Sequence, residues 1–263
     1  MHSNLLHFEW RGKKDESPAL FLHGFMGSTA DWQTVFEKIG KYFHCLAVDL
    51  PGHGKTKVLP GRYSYSMPAT AEHVLNILDR ERVKKCTLVG YSMGGRLALY
   101  LALHFPHRFN RLVLESASPG LTSEADRLAR RKRDEMLALK LEHLPFNEFL
   151  QKWYDQPLFE SLKRHPRFQN IFSLRLQNDP RGLANSLRFM GSGAQPSLWE
   201  KLGTLQTPTL ILAGGLDKKF IDIGSRMKEK IENAQLKIIK NCGHNIHFEN
   251  PENYSQEILT MES

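Results

Sequence analysis

Residues 86–102 read Cys86-Thr87-Leu88-Val89-Gly90-Tyr91-Ser92-Met93-Gly94-Gly95-Arg96-Leu97-Ala98-Leu99-Tyr100-Leu101-Ala102. An apolar run enters this stretch and a helical pattern leaves it, so Gly90-Tyr91-Ser92-Met93-Gly94 stands at a sharp strand-to-helix turn. Such a turn is strained, and a side chain at either flanking position would collide with the neighbouring strand or helix, which is why glycine is needed there. The turn holds the Ser92 hydroxyl out at the top of a sheet, at a helix N-terminus. That is the arrangement of a nucleophile elbow.

A serine hydroxyl is a weak acid at neutral pH and needs a base beside it, and the base needs an orienting acid. Downstream, Thr209-Leu210-Ile211-Leu212-Ala213-Gly214-Gly215 reads as a buried strand, followed by Asp217 in a loop. Leu236-Lys237-Ile238-Ile239 reads as the next strand, followed by Asn241-Cys242-Gly243-His244. Ser92, Asp217 and His244 thus stand in the chain order of a triad, each just past a strand end, where sites gather in open α/β sheets. Asp222 and Glu115 compete for the acid, and His247 competes for the base. Earlier, Phe21-Leu22-His23-Gly24-Phe25-Met26-Gly27 ends another apolar strand. The backbone N–H groups of Phe25 and Met93 would converge there on a developing oxyanion.

Strand-like and helical patterns alternate, which predicts an α/β chain with a mostly parallel sheet flanked by helices, the α/β-hydrolase fold. Strands are expected over 5–10, 19–22, 45–48, 86–89, 111–114, 209–212 and 236–239. Helices are expected over 29–41, 68–79, 94–104, 221–231 and 251–261. The interval 119–205 breaks the alternation and carries helical patterns over 124–139 and 147–154. It is expected to be a helical cap inserted into a core built from 1–118 and 206–263, excluding water from the serine and supplying substrate contacts.

At 263 residues, with 41% apolar and 24% charged residues, the chain has the composition of one soluble globular domain with an insertion. No run approaches the ~20 apolar residues of a membrane span, and no secretory leader pattern opens the chain. Three cysteines, two of them in apolar strand contexts, are expected as free thiols, which points to the cytoplasm. The net charge of +8 suits a small polyanionic substrate better than nucleic acid, because no nucleic-acid module signature is present. The basic run 127–133 is flanked by Asp126, Asp134 and Glu135 and reads as a mixed-charge helix surface. His104-x-x-His107 and His244-x-x-His247 lack further ligands at metal spacing, so neither a metal nor a cofactor is expected.

The elbow ends Gly-Tyr-Ser-Met-Gly-Gly-Arg. The chain also carries Val48-Asp49-Leu50-Pro51-Gly52-His53-Gly54, Ser118-Pro119-Gly120-Leu121, Trp153-Tyr154-Asp155-Gln156-Pro157-Leu158-Phe159, Gln195-Pro196, and 243–251 around His244. This combination resembles the MenH family, the 2-succinyl-6-hydroxy-2,4-cyclohexadiene-1-carboxylate synthases of menaquinone and phylloquinone biosynthesis, nearly end to end. The elbow arginine and the Trp-Tyr-x-Gln-Pro-x-Phe segment carry the discrimination. The resemblance implies a lyase that removes a ring proton from a tricarboxylate substrate and expels pyruvate. It further implies that Arg96, Arg130 and Arg175 bind carboxylates and that Tyr91 and Trp153 line the pocket. Arg127, Arg131 and Arg133 offer alternative registers to Arg130. A carboxylesterase, thioesterase or C–C bond hydrolase would share the triad, and a non-catalytic ligand receptor would share the fold. A monomer or small homo-oligomer is expected.

Overall fold

The computed structural model describes residues 6–56, 58–61 and 63–261. Among the described residues the apolar runs form seven strands: β1 Phe8–Gly12, β2 Ser17–Leu22, β3 Phe43–Val48, β4 Cys86–Tyr91, β5 Phe109–Glu115, β6 Thr209–Gly214 and β7 Ala234–Ile239. Their order across the sheet is β1-β3-β2-β4-β5-β6-β7. All neighbours run parallel except β1, which pairs antiparallel with β3. The first strand begins three residues later than expected, and Leu5 lies outside the described residues. The central strands read as unbroken apolar stretches because helices cover both faces, and β4 and β6 are buried along their whole length.

Two hydrophobic clusters sandwich the sheet, one around Leu20, Leu88 and Leu112, the other around Phe21, Val89 and Val113. Alternate residues of β2, β4 and β5 therefore feed opposite faces. The expected helix 29–41 splits into a 3-10 turn, Thr29–Trp32, and an α-helix, Gln33–Ile39. Five α-helices lie between β5 and β6, led by Glu124–His143 and closed by Pro180–Met190. They share a separate cluster that includes Ala138, Phe149, Tyr154, Ile171 and Leu183. Among the described residues no helix is long and apolar enough to cross a membrane.

Candidate active site

The elbow is as tight as its glycines suggest. A Cβ at Gly90 would lie 2.5 Å from the Gly94 carbonyl oxygen, and one at Gly94 would fall onto the Leu22 carbonyl. Ser92 itself adopts φ +50°, a left-handed conformation that costs a non-glycine residue of order 1–3 kcal/mol. Its N–H is held by the Glu115 carbonyl at 2.8 Å, so pairing with β5 over-determines the strained residue. Ser92 precedes the helix Met93–His104 without capping it through its side chain, leaving Oγ available to another partner.

That partner is His244. Its Nε2 lies 3.0 Å from Ser92 Oγ, and its Nδ1 lies 2.8 Å from Asp217 Oδ2. Asp217 caps the helix Lys218–Lys230, and its other oxygen accepts the Phe220 N–H. The carboxylate is thus fixed on both oxygens. His244 and Asp217 are buried, and the imidazole is walled by Tyr91, Phe159 and Phe220 at ring separations of 5.5, 6.2 and 4.6 Å. Fixed dipoles act more strongly in such a dry enclosure. The competing residues go elsewhere: Glu115 and His247 pair with each other, and Asp222 faces Arg226 on an exposed helix.

After β2 the chain makes a turn closed by Gly27 N–H on the Gly24 carbonyl at 2.9 Å, with Met26 at φ +62°. His23 braces this turn. Its Nε2 accepts the Leu50 N–H, so Nδ1 carries the proton and donates to Gly24 O at 2.7 Å. Burial lowers the His23 pKa and keeps the ring neutral. The N–H groups of Phe25 and Met93 have no hydrogen-bond partner within the protein among the described residues. Both residues line the cavity that contains Ser92.

That cavity has a volume of about 970 Å³ and runs from Ser92 and His244 beneath the helical segment. Trp153 lines it, packed on Phe25 at 5.2 Å, and Tyr91 forms the wall beside His244. Burial raises the Tyr91 pKa well above its ordinary value, so the phenol stays neutral. Arg96 and Arg130 both reach the cavity. Arg96 donates to Gln195 Oε1 at 2.8 Å and to the Met190 carbonyl at 2.9 Å. Burial and the neighbouring Arg130 charge pull its pKa down to about 10. Arg130 Nε binds Asp134 Oδ1 at 2.8 Å. Arg127 and Arg131 instead meet Glu124, while Arg133 also reaches the cavity lining.

Three placements differ from expectation or escaped the sequence. Arg175 lines the cavity, but its fork is filled: Nη1 and Nη2 donate to the two Asp31 oxygens at 2.6 and 2.7 Å, and Nε donates to the Tyr154 hydroxyl. Burial opposes its charge, yet Asp31 outweighs burial and raises the pKa. A substrate carboxylate at Arg175 would share that guanidinium with Asp31. Asp134, expected on a mixed-charge surface, is 2% exposed, and its Oδ2 has no partner. Its spacing of four residues from Arg130 was the available signal. Ser116 has φ +47°, lines the cavity, and buries an Oγ with no partner in the protein. No sequence pattern singled it out. Among the described residues no group of three His, Cys, Asp or Glu side chains could hold a metal.

Comparison with known proteins agrees with this fold. The family model of the alpha/beta hydrolase fold matches residues 18–251. The 2-succinyl-6-hydroxy-2,4-cyclohexadiene-1-carboxylate synthase of Salmonella newport (strain SL254) is 36% identical over 252 residues, 94% of each chain. The solved structure of MenH from S. aureus superposes with a TM-score of 0.92 at 35% identity, covering 97% of both chains. The chloroplastic protein PHYLLO of Arabidopsis thaliana is 35% identical over 250 residues, 89% of this chain but 15% of that much longer protein.

Proposed function

Because this chain belongs to the 2-succinyl-6-hydroxy-2,4-cyclohexadiene-1-carboxylate synthases of the α/β-hydrolase fold, we propose that Ser92, His244 and Asp217 perform an elimination rather than a hydrolysis. The enzyme is a carbon–oxygen lyase of menaquinone and phylloquinone biosynthesis. In our reading its substrate is 2-succinyl-5-enolpyruvyl-6-hydroxy-3-cyclohexene-1-carboxylate, whose C2 proton is acidified by the adjacent succinyl ketone. Ser92 Oγ passes its own proton to His244 Nε2 and takes the C2 proton. Asp217 holds the imidazole in the tautomer that accepts, and offsets the imidazolium charge. The electron pair moves onto the ketone oxygen, opposite the N–H groups of Phe25 and Met93. Donors so placed contribute roughly 3–4 kcal/mol each in comparable sites. The enolate then re-forms the ketone, shifts the ring alkene and breaks the bond to the enolpyruvyl oxygen. The departing enolpyruvate takes a proton and becomes pyruvate.

The observation that carries this reading is Arg96. It lies one helical turn past Ser92, is half-buried at the cavity wall, and meets only neutral oxygens. A neutral ester would leave that guanidinium desolvated and unpaired. A carboxylate-bearing substrate gives it the bidentate partner its fork fits. Arg130 stands beside it as a second receptor, with Tyr91 and Trp153 supporting the ring. We assign 119–205 as the cap that closes over this site and 1–118 with 206–263 as the core. Three buried free cysteines suit a reducing compartment, and we place the reaction in the cytoplasm. The test is direct: supply the enolpyruvyl substrate and follow pyruvate. Pyruvate release that disappears in Ser92→Ala supports the reading. Efficient hydrolysis of simple esters with no pyruvate overturns it.

A further inference from the structure

A buried guanidinium ordinarily has a carboxylate against it, because an uncompensated charge is expensive to desolvate. Arg175 follows that rule through Asp31. Arg96 does not. Its two bonds go to the Gln195 side-chain oxygen and to the Met190 carbonyl, the last of the helix Pro180–Met190. The nearby carboxylate of Asp134 is turned to Arg130 Nε instead.

Gln195 is built to hold this orientation. It is 1% exposed and 99 residues from Arg96 in the chain. Its backbone N–H is tied to Gly191 O at 3.1 Å, and its Nε2 faces the Ser118 carbonyl at 3.5 Å. Gly120, at φ +102°, packs so closely that a Cβ there would come within 3.2 Å of that Nε2. Arginine only donates, so the amide must present its oxygen to Arg96. The two arms of the amide are thus assigned by their neighbours.

We infer that Gln195 is a positioning and specificity-determining residue: a neutral acceptor that aims the Arg96 fork into the cavity while leaving its charge whole for a substrate carboxylate. The inference rests on Arg96 receiving a carboxylate, and it adds the reason that receptor is not quenched from within. A glutamate of the same shape would anchor the fork as well and abolish the selectivity for anions.

Gln195→Glu is therefore the decisive variant, read by pyruvate release from the enolpyruvyl substrate. A purely structural amide would tolerate it, since a carboxylate accepts from arginine at least as well. On our inference KM rises about tenfold or more, equivalent to the loss of one charge-assisted contact. kcat falls less, Tm is held or raised, and KM becomes less sensitive to added salt. Gln195→Met keeps the volume and removes the acceptor, and it should raise KM several-fold without flattening the salt dependence. Wild-type KM and salt dependence in Gln195→Glu, with a raised KM in Arg96→Ala, overturn the role of Gln195 alone. Wild-type KM in Arg96→Ala overturns the receptor reading beneath it. Should Gln195→Glu fail to fold, Gln195→Met decides: an unchanged KM there overturns the inference.

Discussion

Glu115 and His247 hold each other by two bonds. The carboxylate accepts the His247 backbone N–H on Oε1 at 3.0 Å and meets ring Nδ1 with Oε2 at 2.7 Å. Both side chains are essentially closed to solvent. The residues that rival Asp217 and His244 in chain order therefore satisfy one another behind the Tyr91 ring, which stands 4.8 Å from His247 and 5.5 Å from His244. The rival pair belongs to the framework, and the Ser92 hydroxyl is left to His244.

Breaking that pair should damage the fold more than the chemistry. Glu115→Ala strands a buried imidazole and a buried N–H, at a cost of about 3 kcal/mol or more. Denaturant unfolding should show this loss. Pyruvate release, measured where the variant is folded, should fall far less than in Asp217→Ala. A collapse of kcat in folded Glu115→Gln would reassign the orienting acid.

The triad should behave as one unit. Ser92→Ala, His244→Ala and Asp217→Ala should each lower kcat by orders of magnitude, and double variants should be scarcely worse than the worst single. Steady-state kinetics on all combinations checks this. Multiplying losses would mean that the three residues act separately.

Asp31 and Arg175 give an acid-stability prediction. Burial raises the Asp31 pKa, but Arg175 outweighs burial and holds it below the ordinary value. A carboxyl lowered by folding stabilises above its unfolded pKa, about 3.9, and loses that contribution as pH falls through the folded value. Thermal melts from pH 7 to 3 should show this acid limb in the wild type and a shallower one in Asp31→Asn. Asp31→Ala should cost about 3–5 kcal/mol at neutral pH, because it leaves a buried guanidinium unpaired.

Arg96 gives a prediction read in binding. Burial and the Arg130 charge lower its pKa, yet a guanidinium keeps its charge across the working range. KM should be higher in Arg96→Ala than in the wild type across that range, and less sensitive to added salt. Arg96→Lys should restore binding only in part, since an ammonium lacks the bidentate fork. A wild-type KM in Arg96→Ala would remove the charge-recognition role.

The proposed chemistry predicts no acyl-enzyme. Pre-steady-state traces should show no burst and mass spectrometry no adduct on Ser92. Deuterium at C2 should slow turnover where chemistry, and not product release, sets the rate. A covalent Ser92 intermediate formed from the natural substrate would contradict proton abstraction.

What was legible in the chain followed from local necessity. Gly90 and Gly94 are forced by backbone atoms that leave no room for a Cβ, so the elbow announces itself. Asp217 and His244 are placed by strand ends, which apolar runs reveal. What was not legible depends on residues distant in sequence. Arg175 meets Asp31 across 144 positions and Arg96 meets Gln195 across 99, and no pattern in the basic segments distinguishes a quenched arginine from an available one. Asp134 looked like surface because a helical wheel does not say which face a later helix will cover. β1 pairs with β3 and not with its sequence neighbour β2, a choice made by the sheet as a whole.

The Asp31–Arg175 bridge has a bearing on traffic. It rivets the segment 119–205 to the loop after β2, and other fasteners stand near it: Asn178 to Met26 O and Gly54 N–H, and Arg167 to Phe248 O. Swinging that segment away as a hinged door would break this buried ion pair together with those bonds. The cavity that this fastened segment helps to line also carries Arg133 and Lys219, so an anionic molecule bound for Ser92 meets cations besides Arg96 and Arg130.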